Sequence, residues 1–275
     1  MKRQQYLQHR LQTLSALRDA VAAMRSLSAH HYRRVRQTLP AARKYRTEMD
    51  TIIAEIGLHQ PLHIGAPLGL LVIASDLGLC GDYNSRLSRL AVSEAKRHRV
   101  QTIFSVGHRA RAALKKYVSV PIRKYDAPAS IEGLSQLLLG LAQDVLESYT
   151  ASRISGLQVV SAAFEGVGHF SPHSVRVLPI EPIAATSPLR RSPYTESSKL
   201  TSSAVREFLY ITLYEILLDA IAAEHGMRLL AAESALEWLD SSTTTTSRRL
   251  ANARSEASTQ ELLDIVAGGR RRLQH

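Results

Sequence analysis

Cysteine occurs once in the 275 residues, at Cys80, which excludes an internal disulfide and a dithiol switch. A lone thiol fits a reducing compartment. Aromatic residues make up only 5% of the chain, while Ala, Leu, Ser and Arg abound, a bias toward long helices and away from an all-β sandwich. No apolar run approaches the ~18 to 20 residues that span a bilayer, and MKRQQYLQHRLQ has no apolar centre of the signal-peptide kind, so a soluble protein that stays where it is made is expected. The motifs of several chemistries are also missing. There is no GxSxG, HExxH or paired-carboxylate pattern, and neither GxGxxG nor GxxxxGK[ST]. No catalytic residue, cofactor-binding residue or metal ligand is therefore assigned.

Acidic residues are scarce at the front of the chain. Within residues 1–50 only Asp19, Glu48 and Asp50 stand against Lys2, Arg3, Arg10, Arg18, Arg25, Arg33, Arg34, Arg36, Arg43, Lys44 and Arg46, in a chain of formal net charge +11. Coulomb attraction gives this segment an anionic partner without choosing among nucleic acid, a membrane surface and an acidic protein face.

A hydrophobic content of 45% is ample for a packed core. The first 55 residues hold no glycine, and Leu7, Leu11, Leu14, Leu17, Val21, Met24, Leu27, Val35 and Leu39 fall mostly three or four apart. This is one helical stripe with basic residues outside it, and Pro40 is expected to kink the helix or start a new one. From residue 66 the period changes. Leu68–Asp76 reads as a buried strand, Asn84 to about His98 as a helix, Gln101–Gly107 as a second strand and HRARAALKKY as a second helix. Ile131–Thr150 reads as a third helix, Leu157–Phe164 as a third strand, and Val175–Ile183 as an edge strand paired antiparallel, where Pro179 and Pro182 are tolerated. Alternating strands and helices imply a small, mainly parallel α/β sheet.

Helix signals return from Thr201 to about Val266, interrupted only by Gly226. A helix of roughly 65 residues is roughly 100 Å long and is not expected to be buried in this chain's own core. The predicted architecture is α/β plus a long coiled coil, with antiparallel N- and C-terminal helices forming a shaft around a central Rossmann-like domain. Its segments are a helix at 1–60, the α/β domain at 66–183, a Ser/Pro-rich linker at 184–200 and a second helix at 201–275.

Several motifs have plain readings. LGLCGDYN follows a strand, but no lysine follows it to meet a phosphate, and it reads as a strand-to-helix turn. His169 and His173 flank Pro172 and read as loop residues; His30 and His31 read as solvated. The run Thr243–Thr246 is β-branched, marking a loosened turn, a place held by partners or a tolerated surface stretch.

Taken in order from end to end, several segments resemble the gamma subunits of F-type ATP synthases. AMRSLSAHHYRR (23–34) and AARKYRTEM (41–49) are similar to that family's basic N-terminal helix, and ASDLGLCGDYN (74–84) resembles its S-S-D-x-G-L-C-G-x-x-N signature. VGHRAR (106–111) is similar to a G-R-K-G region; AEHGMRLLAAESA (223–235) and NARSEASTQELLDIVAGG (252–269) resemble its most distinctive stretch. The resemblance implies a non-catalytic rotor subunit, one copy per complex, whose coiled coil turns inside a hexamer of alpha and beta subunits. Its α/β domain would meet the epsilon subunit and the c-ring, peripheral to the cytoplasmic face of a bacterial inner membrane. It implies no nucleic-acid partner. By the same resemblance Met24, Arg33, Arg228, Arg254, Thr259 and Glu261 are beta-subunit contacts.

The chain departs from the family pattern at Val21-Ala22 in place of Thr-Lys, at Ser255 in place of Gln, and at SSTTTTS in place of a more apolar stretch. The basic end Arg270-Arg271-Arg272 replaces an apolar tip and is expected to leave the sleeve or meet acidic partners. Two other readings compete. One is a basic coiled coil that binds nucleic acid, although few aromatics interleave with its cations. The other is a Rossmann-like enzyme centred on 66–183, which lacks the cofactor fingerprint.

Overall fold

The computed structural model describes residues 2–56, 66–117, 119–128, 130–180 and 197–272. The linker expected at 184–200 falls outside these residues up to 196, and its last part is already helical. The side chains of the basic C-terminal end lie outside the described set as well.

Ten elements follow in order: α1 (Lys2–Ile56), β1 (Leu68–Ile73), α2 (Tyr83–Arg97), β2 (Val100–Val106), α3 (His108–Tyr117), β3 (Ile122–Tyr125), α4 (Ile131–Thr150), β4 (Gly156–Gly166), β5 (His169–Leu178) and α5 (Ser197–Arg272). They form two compact units, residues 28–230 and residues 1–27 with 231–275.

In the larger unit the strands lie in the order β3-β2-β1-β4-β5, parallel except for the β4–β5 hairpin. Strand periodicity sorts the core. Leu70 and Val72 of β1 join Leu87 and Ala91 of α2 and Leu114 of α3 on one side. Leu71 and Ile73 join Leu138 and Leu141 of α4, Val35 and Ile53 of α1, and Leu213 and Leu217 of α5 on the other. The sheet is thus sandwiched between helices. At its end, Gly107 has φ +90°, and a Cβ there would sit 2.2 Å from the Ala74 carbonyl oxygen, so the β2–α3 turn admits no larger residue.

α1 and α5 run antiparallel in each unit. In the larger one Arg43 pairs with Asp219 at 2.9 Å, Tyr45 donates to Glu207 at 2.9 Å, and the Arg46 guanidinium lies 4.6 Å from the Phe208 ring centroid. In the smaller one Leu7 and Leu11 pack on Leu250 and Ala253, the Gln4 amide donates to the Ala253 carbonyl at 2.9 Å, and Arg18 meets Asp240 at 2.6 Å.

Four expectations change. α1 is one helix through Pro40, so no new helix starts there. α5 is continuous through Gly226 and through Thr243–Thr246, where Thr244 satisfies its hydroxyl on the Asp240 carbonyl at 2.9 Å. The first part of α5 is buried by the chain's own sheet and α4, from Ala204 to Arg228, contrary to the expectation of a helix covered only from outside. His169 and His173 are strand residues of β5, with Pro172 opposite Ala162; on an edge strand half the backbone N–H groups face no neighbour, so a proline costs little.

Candidate functional site

The most elaborately held segment of the larger unit is the turn between β1 and α2, at the C-terminal edge of the sheet where open α/β sheets commonly bind ligands. Here the chain itself occupies the seat. The Asp76 carboxylate accepts from the His108 backbone N–H at 2.6 Å, at the start of α3, and from the Ala127 N–H at 2.9 Å after β3. A helix N-terminus that could cradle a phosphate is thereby taken by a carboxylate, which agrees with reading LGLCGDYN as a structural turn.

Within the turn, Asn84 accepts from the Ser75 N–H at 3.1 Å and donates to the Ser75 hydroxyl at 2.7 Å and the Cys80 sulfur at 3.0 Å. Burial raises the pKa of the Cys80 thiol. Leu79 (φ 58°) and Gly81 (φ 57°) both take left-handed backbone, an uncommon state for leucine.

α5 clamps this turn. Tyr83 donates to the Ala220 carbonyl at 3.1 Å, and Arg228, 3% exposed, sends its Nε to the Gly78 carbonyl at 3.2 Å. The same guanidinium pairs with Glu224 at 2.5 Å and reaches His225 Nδ1 at 3.3 Å. His225 stacks on His31 of α1, centroids 5.1 Å apart. Burial, then the charges of Arg228 and His31, hold the His225 pKa down to about 3. The ring is neutral at physiological pH, and its Nδ1, facing a guanidinium donor, is the unprotonated nitrogen. His31 is half-buried, contrary to its solvated reading.

The six residues expected to touch a partner divide between the two units, and no hydrogen bond or ion pair joins any two of them among the described residues. Arg228 is sealed within the chain. Arg33 is exposed on α1, its Nε on the Ala29 carbonyl at 3.2 Å. Met24 is half-buried. Arg254, Thr259 and Glu261 are exposed on α5, and the Thr259 hydroxyl donates to the Ser255 carbonyl at 3.0 Å. Sequence reasoning missed Asp76, Glu224 and His225 as parts of one device, although the i, i+4 spacing of Glu224 and Arg228 is a legible signal. No group of three or more His, Cys, Asp or Glu placed to hold a metal occurs among the described residues, and no described helix is long and apolar enough to cross a membrane.

Long helices at both ends of the chain, with a mixed five-stranded sheet between them in sequence, are the fold elements shared with solved ATP synthase central stalks. The fold resembles a chain of the Euglena gracilis mitochondrial ATP synthase OSCP/F1/c-ring structure, with TM-score 0.70, 16% identity, and coverage of 97% of this chain and 93% of that one. It also resembles a chain of the Tetrahymena thermophila mitochondrial ATP synthase central stalk/c-ring, at TM-score 0.61 and 17% identity, covering 78% and 99%. The sequence profile of the ATP synthase family matches residues 3–270, and the chain belongs to that family. Its relatives include the ATP synthase gamma chains of Trichlorobacter lovleyi, 27% identical over 95% of this chain and 96% of the relative, and of Geotalea daltonii, 26% identical over 90% of each.

Proposed function

We propose that the chain is the gamma subunit, the central rotor stalk of an F-type ATP synthase, coupling ion flow through a membrane sector to ATP synthesis or hydrolysis elsewhere in the complex. The observation that carries this reading is a family match running from residue 3 to residue 270, through both long helices and the sheet between them. The chain works mechanically and performs no bond chemistry itself. Its partners are alpha and beta subunits around the paired helices, with epsilon and the c-ring at the α/β domain, one copy per complex, peripheral to the cytoplasmic face of a bacterial membrane. Met24, Arg33, Arg254, Thr259 and Glu261 supply contacts to beta. Arg228 acts from inside, fixing the β1–α2 turn against α5.

The reading of a basic nucleic-acid-binding coiled coil gains no support from the family match. Co-expression with alpha and beta subunits from the same genome, followed by sizing and subunit quantification, tests the assignment. One copy per hexamer is expected; a chain that never enters the hexamer would overturn it.

A further inference from the structure

The chain's surplus positive charge is not confined to the segment where the sequence pointed. Of the eleven cations in residues 1–50, Arg3, Arg18, Arg34, Arg43, Lys44 and Arg46 are all paired with carboxylates of this chain, namely Glu256, Asp240, Glu132, Asp219, Glu48 and Asp50. From Tyr83 to Tyr117, across α2, β2 and α3, Arg86, Arg89, Lys96, Arg97, Arg99, Arg109, Arg111, Lys115 and Lys116 stand against Glu94 alone. Glu94 is 7% exposed and already accepts from Ser174 at 2.9 Å, so it neutralises little of this face. Among the described residues, no carboxylate pairs with Arg89, Lys96, Arg97, Arg99, Arg109, Lys115 or Lys116, and all seven are exposed. Nine cations against one acid give residues 83–117 a formal charge of +8.

A groove of about 450 Å³ runs between α2 and α3 in the middle of this face. Val92, Ala113 and Tyr117 make its apolar wall, Ser85 and Ser88 add hydroxyls, and Arg89 and Arg109 stand at it as unpaired guanidinium groups. The Lys96 ammonium lies 5.7 Å from the Tyr117 ring centroid, continuing the cationic rim along the same side.

We infer that the α2–α3 groove is a docking site for an acidic segment of a protein partner, one that carries an apolar side chain for the Val92–Ala113–Tyr117 wall between carboxylates for Arg89 and Arg109. Carboxylates suit the paired donors of a guanidinium. The exposed cations raise the encounter rate while the groove fixes register. Two other anionic partners fit less well. A bilayer cannot enter a concave groove, and Tyr117 is the only large apolar side chain that α2 and α3 expose. Single-stranded nucleic acid needs aromatic platforms for its bases, and Tyr117 already carries Lys96 against its face.

The test uses the full chain and three probes: a fluorescent twelve-residue Asp/Glu-rich peptide with one central leucine, vesicles of phosphatidylcholine with phosphatidylglycerol, and a single-stranded oligonucleotide. Arg89→Glu/Arg109→Glu is expected to weaken the peptide at least about tenfold, the scale of two lost and inverted ion pairs. Lys124→Glu/Arg176→Glu makes the same charge change off the groove, on exposed strand residues, and should weaken it less than about twofold at moderate salt, through screened long-range attraction only. Ala113→Trp fills the groove without changing charge and should also weaken binding several-fold. Circular dichroism confirms that the variants fold. Equal losses from the two charge-reversal pairs, or no loss from Ala113→Trp, would mean diffuse attraction and overturn the proposal. So would vesicles or oligonucleotide binding tightly where the peptide does not.

Discussion

At the residue scale the weight falls on Arg228 and His225. A guanidinium that is 3% exposed survives because Glu224, the Gly78 carbonyl and His225 surround it. Replacing it alone leaves Glu224 without its cation and the turn without its clamp. Arg228→Met is expected to destabilise the chain by about 3 kcal/mol, and Glu224→Gln in the same chain to return part of that loss, because no unpaired charge then remains buried. Urea unfolding of the single and double variants checks this; an additive double variant would contradict it. His225 gives a pH dependence with a definite sign. Its folded pKa is near 3 while an unfolded histidine titrates near 6.5, so only the unfolded chain gains a proton as pH falls below 6.5. The contribution is complete above that value and declines by up to about 1.4 kcal/mol per pH unit below it. His31 and His173, whose pKa values burial also lowers, act in the same direction. His225→Gln should flatten the unfolding midpoint between pH 6.5 and pH 5, and an unchanged slope would refute the assignment.

At the element scale, what periodicity can express was legible and what needs neighbours was not. α4 runs from Ile131 to Thr150 as expected, because its apolar stripe is local. β3, Ile122–Tyr125, was missed: IRKY alternates poorly, and it is a strand because β2 offers a parallel edge. The first half of β5 was hidden by Pro172. The Asp76 part of the device was invisible for the same reason, since residues 76, 108 and 127 meet only once the sheet is built, whereas the i, i+4 pair Glu224–Arg228 is local. Pro40 supplies a test at this scale. It is exposed inside a continuous α1 and offers no N–H to the Arg36 carbonyl, the partner an unbroken helix would provide. Pro40→Ala is expected to stabilise the chain by roughly 1 to 3 kcal/mol, read as a higher urea midpoint at unchanged slope. A lower midpoint would show that the imino ring itself is needed there.

For the whole molecule, most cations of the N-terminal helix are partnered within the chain, while an unpaired excess remains on α2 and α3. The anionic partner expected of the first fifty residues therefore has fewer free cations to meet than their number suggests. The central claim is that this chain turns as a stalk within a catalytic complex. Its most direct test immobilises the complex of this chain with alpha and beta subunits, attaches a bead to an engineered cysteine on α3 after Cys80→Ser, and supplies ATP. Unidirectional rotation of the bead that stops when ATP is withdrawn is the predicted result. A bead that stays fixed while the particle hydrolyses ATP, or hydrolysis indifferent to whether the chain is present, would contradict it.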